Sequence, residues 1–170
     1  HSCGYAFRAG IEKIVIFPFS SVFSAYGSSA MDFIHIYEQS KRIILQKPGP
    51  GECLKDYEEY NDIIRKLKKR AVKDISEEGF DPDRIVYNLE LDMKYGGQLH
   101  VHRIASPRIF LKSEEDVKAV CEQFGIEYAK AFSHLVVYPS GGVEVISFLL
   151  RAIVPVDHIE LPSYTSRGES

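Results

Sequence analysis

The sequence predicts an α+β fold: a four-stranded antiparallel sheet with two helices on one face, in the ferredoxin-like order βαββαβ. The prediction depends on one alternating stretch with a reversal behind it, two stretches with helical periodicity, and one long apolar run. A shorter α/β fragment precedes this domain.

The alternating stretch covers residues 85–95, where apolar side chains occupy every second position and polar ones lie between them from Asn88 to Lys94. This period of two is typical of a strand with one buried face. Gly96 and Gly97 follow and supply the positive φ angles that a tight reversal needs. A hairpin is therefore expected here.

The register of this hairpin follows from its apolar positions. A three-residue turn over residues 96–98 would pair Tyr95 with Leu99 and Met93 with Val101. A two-residue loop would instead set these apolar side chains against polar ones. We therefore expect the three-residue turn.

Both predicted helices have apolar positions spaced by three and four residues. An Asp-x-x-Glu capping box at Asp56 begins the first helix, and Gly79 ends it. Ser113 caps the second helix, which runs to Phe132 and is interrupted by Gly125. The stripes consist of Tyr57, Tyr60, Ile63, Ile64, Leu67, Ala71 and Ile75, and of Val117, Val120, Cys121, Phe124, Tyr128, Ala131 and Phe132.

The two outer segments of this domain also predict strands. Extended apolar character around residues 34–45 predicts the first strand. The nearly continuous apolar run 143–154 predicts the last one, covered on both sides.

The chain is expected to divide into three parts. Residues 1–32 form the α/β fragment, with a helix that stops at Gly10, a strand over 11–17 and a short helix. The α+β domain covers 33–157, and 158–170 form an irregular tail. Because the chain opens without an initiator Met, in the middle of a helical pattern, we expect it to be a piece of a longer protein.

Composition restricts the class of protein and its partners. The chain has 170 residues and a net charge of −3, without a basic block, so nucleic acid is not an expected partner. No apolar run approaches the roughly 18 residues of a membrane span, and no membrane partner is expected. Three widely spaced cysteines indicate reduced thiols and a cytoplasmic location.

Metal ligation has one weak candidate pair, His100 and His102. Alternate strand positions put both imidazoles on one face, and the predicted register places them beside Lys94 and Asp92 on the solvent side. The alternative is two solvent-exposed histidines without a metal. No phosphate loop, GxSxG or HExxH motif occurs, so no catalytic or cofactor-binding residue is predicted.

The turn itself is a candidate interface or channel element. Lys94, Tyr95, Gly97 and Gln98 surround it and could bind an acidic or polar partner. The alternative is core packing for Tyr95 and a local turn role for Gln98.

Two stretches resemble the hydantoinase A/5-oxoprolinase family. AFRAGIEKIVIFPFSSVFSAYGSSAMD is similar to the end of its ATPase-like region, and ELDMKYGGQLHVHRI is similar to its later "D.RY.GQ" segment. The matching residues are Pro18, Ser24, Ala25 and Gly27 in the first stretch and Asp92, Tyr95, Gly97 and Gln98 in the second. Lys94 departs from the pattern, since Arg is usual there. The FPFSSVF and YEQSKR segments look most like the ketone (acetone) carboxylase branch.

This resemblance implies the C-terminal part of a longer enzyme subunit. The parent would have an upstream ATPase-like domain and would use ATP, with a divalent metal ion in the full complex, to carboxylate acetone with bicarbonate to acetoacetate. Other carboxylase subunits would be its partners, and this part would serve structure and docking. The Lys94 departure leaves a second possibility open, an ATP-dependent hydantoinase or 5-oxoprolinase acting on cyclic amides. A third is a small-molecule-binding module of ferredoxin-like fold.

Overall fold

The structure is a computed structural model that describes residues 2–14, 16 and 19–157. These residues divide into two compact units. One unit is Asp32–Pro155, and the other contains the described residues before Asp32 together with 156–157. The predicted tail 158–170 lies outside the described residues, and the predicted domain boundaries stay a prediction.

The smaller unit is mainly helical. Helix α1 spans Ser2–Arg8, a 3₁₀ turn spans Ser20–Val22, and α2 spans Phe23–Ser29. Gly10 has φ +67°, as expected of a helix stop.

The strand predicted over residues 11–17 is not formed where the structure describes it. Residues 11–14 and 16 belong to no strand, and Val15 and Phe17 lie outside the described part. A strand exists only through hydrogen bonds to a partner strand, and none of the described strands pairs with this segment.

The larger unit carries the predicted βαββαβ order. Its elements are β1 (Phe33–Gln46), α3 (Glu58–Glu77), β2 (Val86–Tyr95), β3 (His102–Ala105), α4 (Glu114–Phe132) and β4 (Val143–Val154). All neighbouring strands are antiparallel. The α+β class with an antiparallel sheet is therefore confirmed. The strand order, β1-β4-β2-β3, is a finding that the sequence pattern did not specify.

The ends of the long helices have local signals: Asp56 lies one residue before the N-cap of α3, and Ser113 is the N-cap of α4. Asp56 Oδ1 accepts a hydrogen bond from the Glu58 backbone N at 3.0 Å. Ser113 Oγ accepts one from Asp116 N at 3.4 Å. Gly79 follows the end of α3 and has φ +87°. None of the helices in the described residues combines the length and apolar character needed to cross a membrane.

Both helices pack on the same face of the sheet. The apolar stripe of α3 is buried there, and the Tyr60 ring meets Phe148 of β4 edge-on at 5.1 Å. From α4, Phe124 lies 4.8 Å from the ring of Tyr95 at the end of β2. The opposite face of the sheet, here called the open face, carries the polar side chains of β2, which are Asn88, Glu90, Asp92 and Lys94.

The position of β4 explains its apolar run. It lies between β1 and β2, so neighbouring strands shield its side chains on both faces. Leu149 and Ser147 are buried on the open face, although both helices lie on the other side.

The predicted hairpin register is wrong by one residue. The ladder pairs Met93 with His102 and Leu91 with Ile104, so the connection covers residues 96–101. Leu99 and Ile104 are five positions apart and would face opposite sides of a regular strand, so one register cannot bury both. The structure buries Ile104 and leaves Leu99 92% exposed.

Candidate functional site

The turn at residues 94–98, here called the Gly-Gly turn, lies at one end of the sheet. It joins the end of β2 to the connection that leads into β3. Strand alternation sends Lys94 to the open face and Tyr95 to the helix-covered face. Tyr95 is 2% exposed, and its ring packs on Phe124 and Tyr128. Tyr95 is therefore a core residue, whereas Gly97 is exposed.

Two glycines shape this turn for different reasons. Gly96 N donates to the Gly142 carbonyl at 3.0 Å, and a Cβ at Gly96 would collide with the carbonyl oxygen of Gly141. Gly97 has φ +79° but open space around it. Gly96 is thus required because two backbone segments approach closely there. Gly97 is favoured because of its positive φ angle.

The Gln98 side chain links the Gly-Gly turn by hydrogen bonds to α4 and to the connection between α4 and β4. Its Oε1 accepts a hydrogen bond from the Tyr128 hydroxyl of α4 at 2.8 Å. Its Nε2 donates to the Val136 carbonyl in the connection between α4 and β4 at 3.2 Å. The side chain therefore holds both loops at this end of the sheet in one arrangement.

An ionic cluster lies beside the turn on the open face. Glu144 is 6% exposed and accepts hydrogen bonds from Arg42 Nε at 2.9 Å and from a terminal guanidinium nitrogen at 2.7 Å. Lys94 Nζ lies 4.0 Å from its Oε2. The hydrogen bonds from Arg42 lower the pKa of Glu144 against the opposing effect of its burial, and the charge of Lys94 adds to the lowering.

A register shift in β1 coincides with this cluster. The pairing of β1 with β4 shifts between Ser40 and Ile43, and Arg42 lies within the shift. Bulges of this kind re-aim side chains. Neither Arg42 nor Glu144 was predicted from the sequence. The available signal was one carboxylate at the start of an apolar run, since a buried charge needs a partner.

The prediction for His100 and His102 is wrong in its placement. His102 lies on the helix-covered side, with its ring 5.6 Å from Phe132 and 6.2 Å from Tyr128. His100 also lies near Phe132, at 6.0 Å. Among the described residues no group of three or more His, Cys, Asp or Glu side chains is placed to hold a metal ion.

A cavity of about 250 Å³ lies between α4 and the strand ends beside Tyr95. Cys53, Cys121 and Gly125 contribute to its lining. Burial raises the pKa of Cys121 to about 12 and also raises that of Cys53. Both thiols are therefore protonated near neutral pH and are poor nucleophiles.

The fold and the turn define the class of protein: an α+β domain with a Gly-Gly turn fixed by hydrogen bonds and flanked by ion-paired charges. The chain belongs to the hydantoinase/oxoprolinase family, because the family model described as "Hydantoinase/oxoprolinase C-terminal domain" matches residues 51–170. The resemblance found in the sequence is thereby confirmed.

Two relatives with named activities cover nearly the whole chain. The acetophenone carboxylase gamma subunit of Aromatoleum aromaticum is 40% identical over 161 residues, which cover 95% of this chain and 22% of the relative. The acetone carboxylase beta subunit of Xanthobacter autotrophicus is 25% identical over 174 residues, covering 100% of this chain and 24% of the relative. This chain thus spans about a quarter of the length of either relative.

Solved structures share the fold. A nucleotide-free acetone carboxylase structure aligns with a TM-score of 0.78 at 22% identity, over 100% of this chain and 24% of that one. The ATP-dependent caprolactamase of Pseudomonas jessenii aligns with a TM-score of 0.71 at 21% identity, over 86% and 20%.

Proposed function

We propose that this chain is the C-terminal domain of a subunit of an ATP-dependent carboxylase that joins bicarbonate to a ketone. The observation that carries the proposal is the 40% identity to an acetophenone carboxylase subunit over 95% of this chain. Within that enzyme the domain serves structure and subunit docking.

The chemistry of the described residues supports a structural role. The carboxylates around the Gly-Gly turn are engaged by arginines: Glu144 by Arg42, and Asp92 by Arg103 at 2.7 Å. A general acid or base needs a free group with a pKa near the working pH. Pairing of these carboxylates favours a scaffold over a reaction centre.

ATP and a divalent metal ion are assigned to other parts of the complex. Among the described residues, no three His, Cys, Asp or Glu side chains are grouped to hold a metal ion. The parent would supply them through an upstream ATPase-like domain and other carboxylase subunits.

Docking is assigned to the end of the domain that carries the Gly-Gly turn. Gly97 is exposed, and Lys94 and Gln98 are half-buried. Tyr95 does not take part in docking directly, because its ring is buried in the core below the turn and supports it there.

Substrate-dependent ATP turnover by the full subunit, assembled with its partner subunits, tests this proposal. We expect ATP hydrolysis to require both bicarbonate and a ketone such as acetone or acetophenone. Stimulation by hydantoin or 5-oxoproline without bicarbonate would instead establish the second candidate, a cyclic amide hydrolase. That candidate is favoured by the family description, which names hydantoinases and oxoprolinases.

A second measurement concerns the division of labour. The isolated chain should not hydrolyse ATP above background. Turnover by the isolated chain would contradict the scaffold role while leaving the substrate class open to the first test.

A further inference from the structure

The cavity beside Tyr95 combines an apolar interior with a charged mouth. It lies within the larger unit and has a volume of about 250 Å³. The buried residues Cys53 and Val143 line its inner part, and the exposed residues Lys118 and Glu122 of α4 line its mouth. A mostly apolar cleft with a few polar groups is the usual form of a small-molecule site.

The Tyr95 hydroxyl is a buried polar group that faces this cavity. Tyr95 is 2% exposed, and a Cβ at Gly125, which also lines the cavity, would lie 3.5 Å from the hydroxyl oxygen. None of the residues that the structure describes forms a hydrogen bond with this hydroxyl, whereas the neighbouring Tyr128 hydroxyl donates to Gln98 at 2.8 Å. Because a buried hydroxyl is stabilised by a partner, it is available to donate to a molecule in the cavity.

Gly125 keeps the space in front of that hydroxyl open. It lies within α4, where glycine is less favourable than alanine. Steric crowding does not require it, since the atom nearest to an added Cβ is the Tyr95 hydroxyl oxygen at an ordinary contact distance. A larger side chain would instead extend into the cavity. The glycine therefore maintains a cavity volume at the expense of helix propensity.

Charge around the cavity favours an uncharged ligand. Lys118 is paired with Glu114, with their charged atoms 2.7 Å apart, and the Glu122 carboxylate at the mouth repels anions. Burial raises the pKa of the Cys121 thiol to about 12. The loss of hydration that keeps this thiol neutral would penalise a charged ligand of either sign in the same way.

The volume limits the ligand to a small molecule. An apolar protein cavity of about 150 Å³ is large enough to bind benzene. The cavity beside Tyr95, at about 250 Å³, has room for a ring with one small substituent.

We propose that this cavity binds a small uncharged molecule with an apolar body and one hydrogen-bond acceptor, to which the Tyr95 hydroxyl donates. The inference goes beyond the proposed function, because such binding requires neither ATP turnover nor a partner subunit. It assigns a ligand site to a domain for which the proposed function gives only a structural and docking role.

The test is a fluorine NMR titration of the full-length subunit with three probes of similar shape. The probe para-fluorobenzonitrile has one acceptor, para-fluorotoluene has none, and para-fluorobenzoate is charged. We expect the nitrile to bind, the toluene to bind about fivefold more weakly, and the benzoate not to bind up to its solubility limit. Equal binding of the nitrile and the toluene would contradict the hydrogen bond. Equal binding of the nitrile and the benzoate would contradict the uncharged class.

A matched pair of variants tests the hydroxyl. Tyr95→Phe removes the donor but keeps the ring, so it should weaken binding of the nitrile about fivefold and leave the toluene within about twofold of the wild type. Tyr60→Phe is the control, because Tyr60 is buried against Phe148 and lines no part of the cavity. Unchanged binding of the nitrile by Tyr95→Phe would overturn the proposal. An equal loss in Tyr60→Phe would do the same.

A third variant locates the bound probe. Gly125→Leu places its side chain in the cavity and should abolish binding of both the nitrile and the toluene. If its melting curve shows a folded protein that still binds the nitrile like the wild type, the probe lies elsewhere and the proposal is wrong. If Gly125→Leu does not fold, the Tyr95→Phe result decides.

This inference and the proposed function fail separately. None of the three probes is a ketone, so their binding does not report on the carboxylation reaction. A wild-type subunit that does not bind the nitrile would overturn the ligand site and leave bicarbonate-dependent ATP turnover intact. Loss of the carboxylase function in the turnover test would leave the probe titration unchanged.

Discussion

The two faces of the sheet are built from the same strands but stabilised by different forces. On the helix-covered face, Leu91, Tyr95 and Phe148 are excluded from water beneath α3 and α4. On the open face, Glu90 pairs with Arg151 at 3.2 Å, and an arginine likewise pairs with Asp92. Solvent-exposed ion pairs contribute little individually, so we expect the covered face to carry most of the stability.

The largest expected effect tests that difference directly. Phe148→Ala removes a buried ring that packs on Tyr60 and should lower the free energy of unfolding by about 3–5 kcal/mol. Ile153→Ala, on the open face of the same strand and only partly buried, should cost about 1–2 kcal/mol, since part of its area is already in water. Urea denaturation of the chain measures both, and equal losses would erase the distinction between the faces.

The next comparison is between the two glycines of the Gly-Gly turn, where the two faces of the sheet meet. Gly96→Ala should cost about 3 kcal/mol, because the new methyl group meets the backbone of Gly141 and displaces the bond to Gly142. Gly97→Ala should cost only about 1–2 kcal/mol, the price of a left-handed conformation in open space. Thermal melts of both variants check the order, and a larger loss at Gly97 would show that the close approach at Gly96 yields easily.

Glu144 differs from the other ion-paired residues of the open face because it is buried. Glu144→Gln should cost about 1 kcal/mol at neutral pH, below the usual value for a charge-assisted bond because Arg42 is largely solvated. The pKa of Glu144 is lowered in the folded state, so its contribution is present above its ordinary value of 4.5 and disappears as the pH falls through the lowered value. Stability curves of variant and wild type should therefore converge in acid. A constant gap at all pH values would assign the loss to packing.

Much of this architecture could be predicted from the sequence because periodicity reports burial directly. The alternation in residues 85–95 assigned each side chain of β2 to its face, and the three-and-four spacing after Asp56 and Ser113 located both helices. Those patterns depend on the side chain's own chemistry and on local geometry. They need no knowledge of which strands are neighbours.

Properties that depend on long-range pairing were beyond that reasoning. The register placed His102 on the wrong face, because Leu99 and Ile104 compete for the core and the sequence does not reveal which one prevails. The pair Arg42 and Glu144 is separated by 102 positions and meets only through the shift in β1. Nothing local in either residue indicates the other.

The smallest expected change in stability is at Gly125, a residue of α4 that lines the cavity beside Tyr95. A Cβ at this position would lie 3.5 Å from the Tyr95 hydroxyl, an ordinary contact, so Gly125→Ala should gain up to about 1 kcal/mol from helix propensity. Calorimetry of the variant measures the change. If stability falls instead, the hydroxyl needs that space, and the double variant Gly125→Ala/Tyr95→Phe should recover it. Loss in both would mean that α4 itself, rather than the hydroxyl, requires the glycine at its contact with β2.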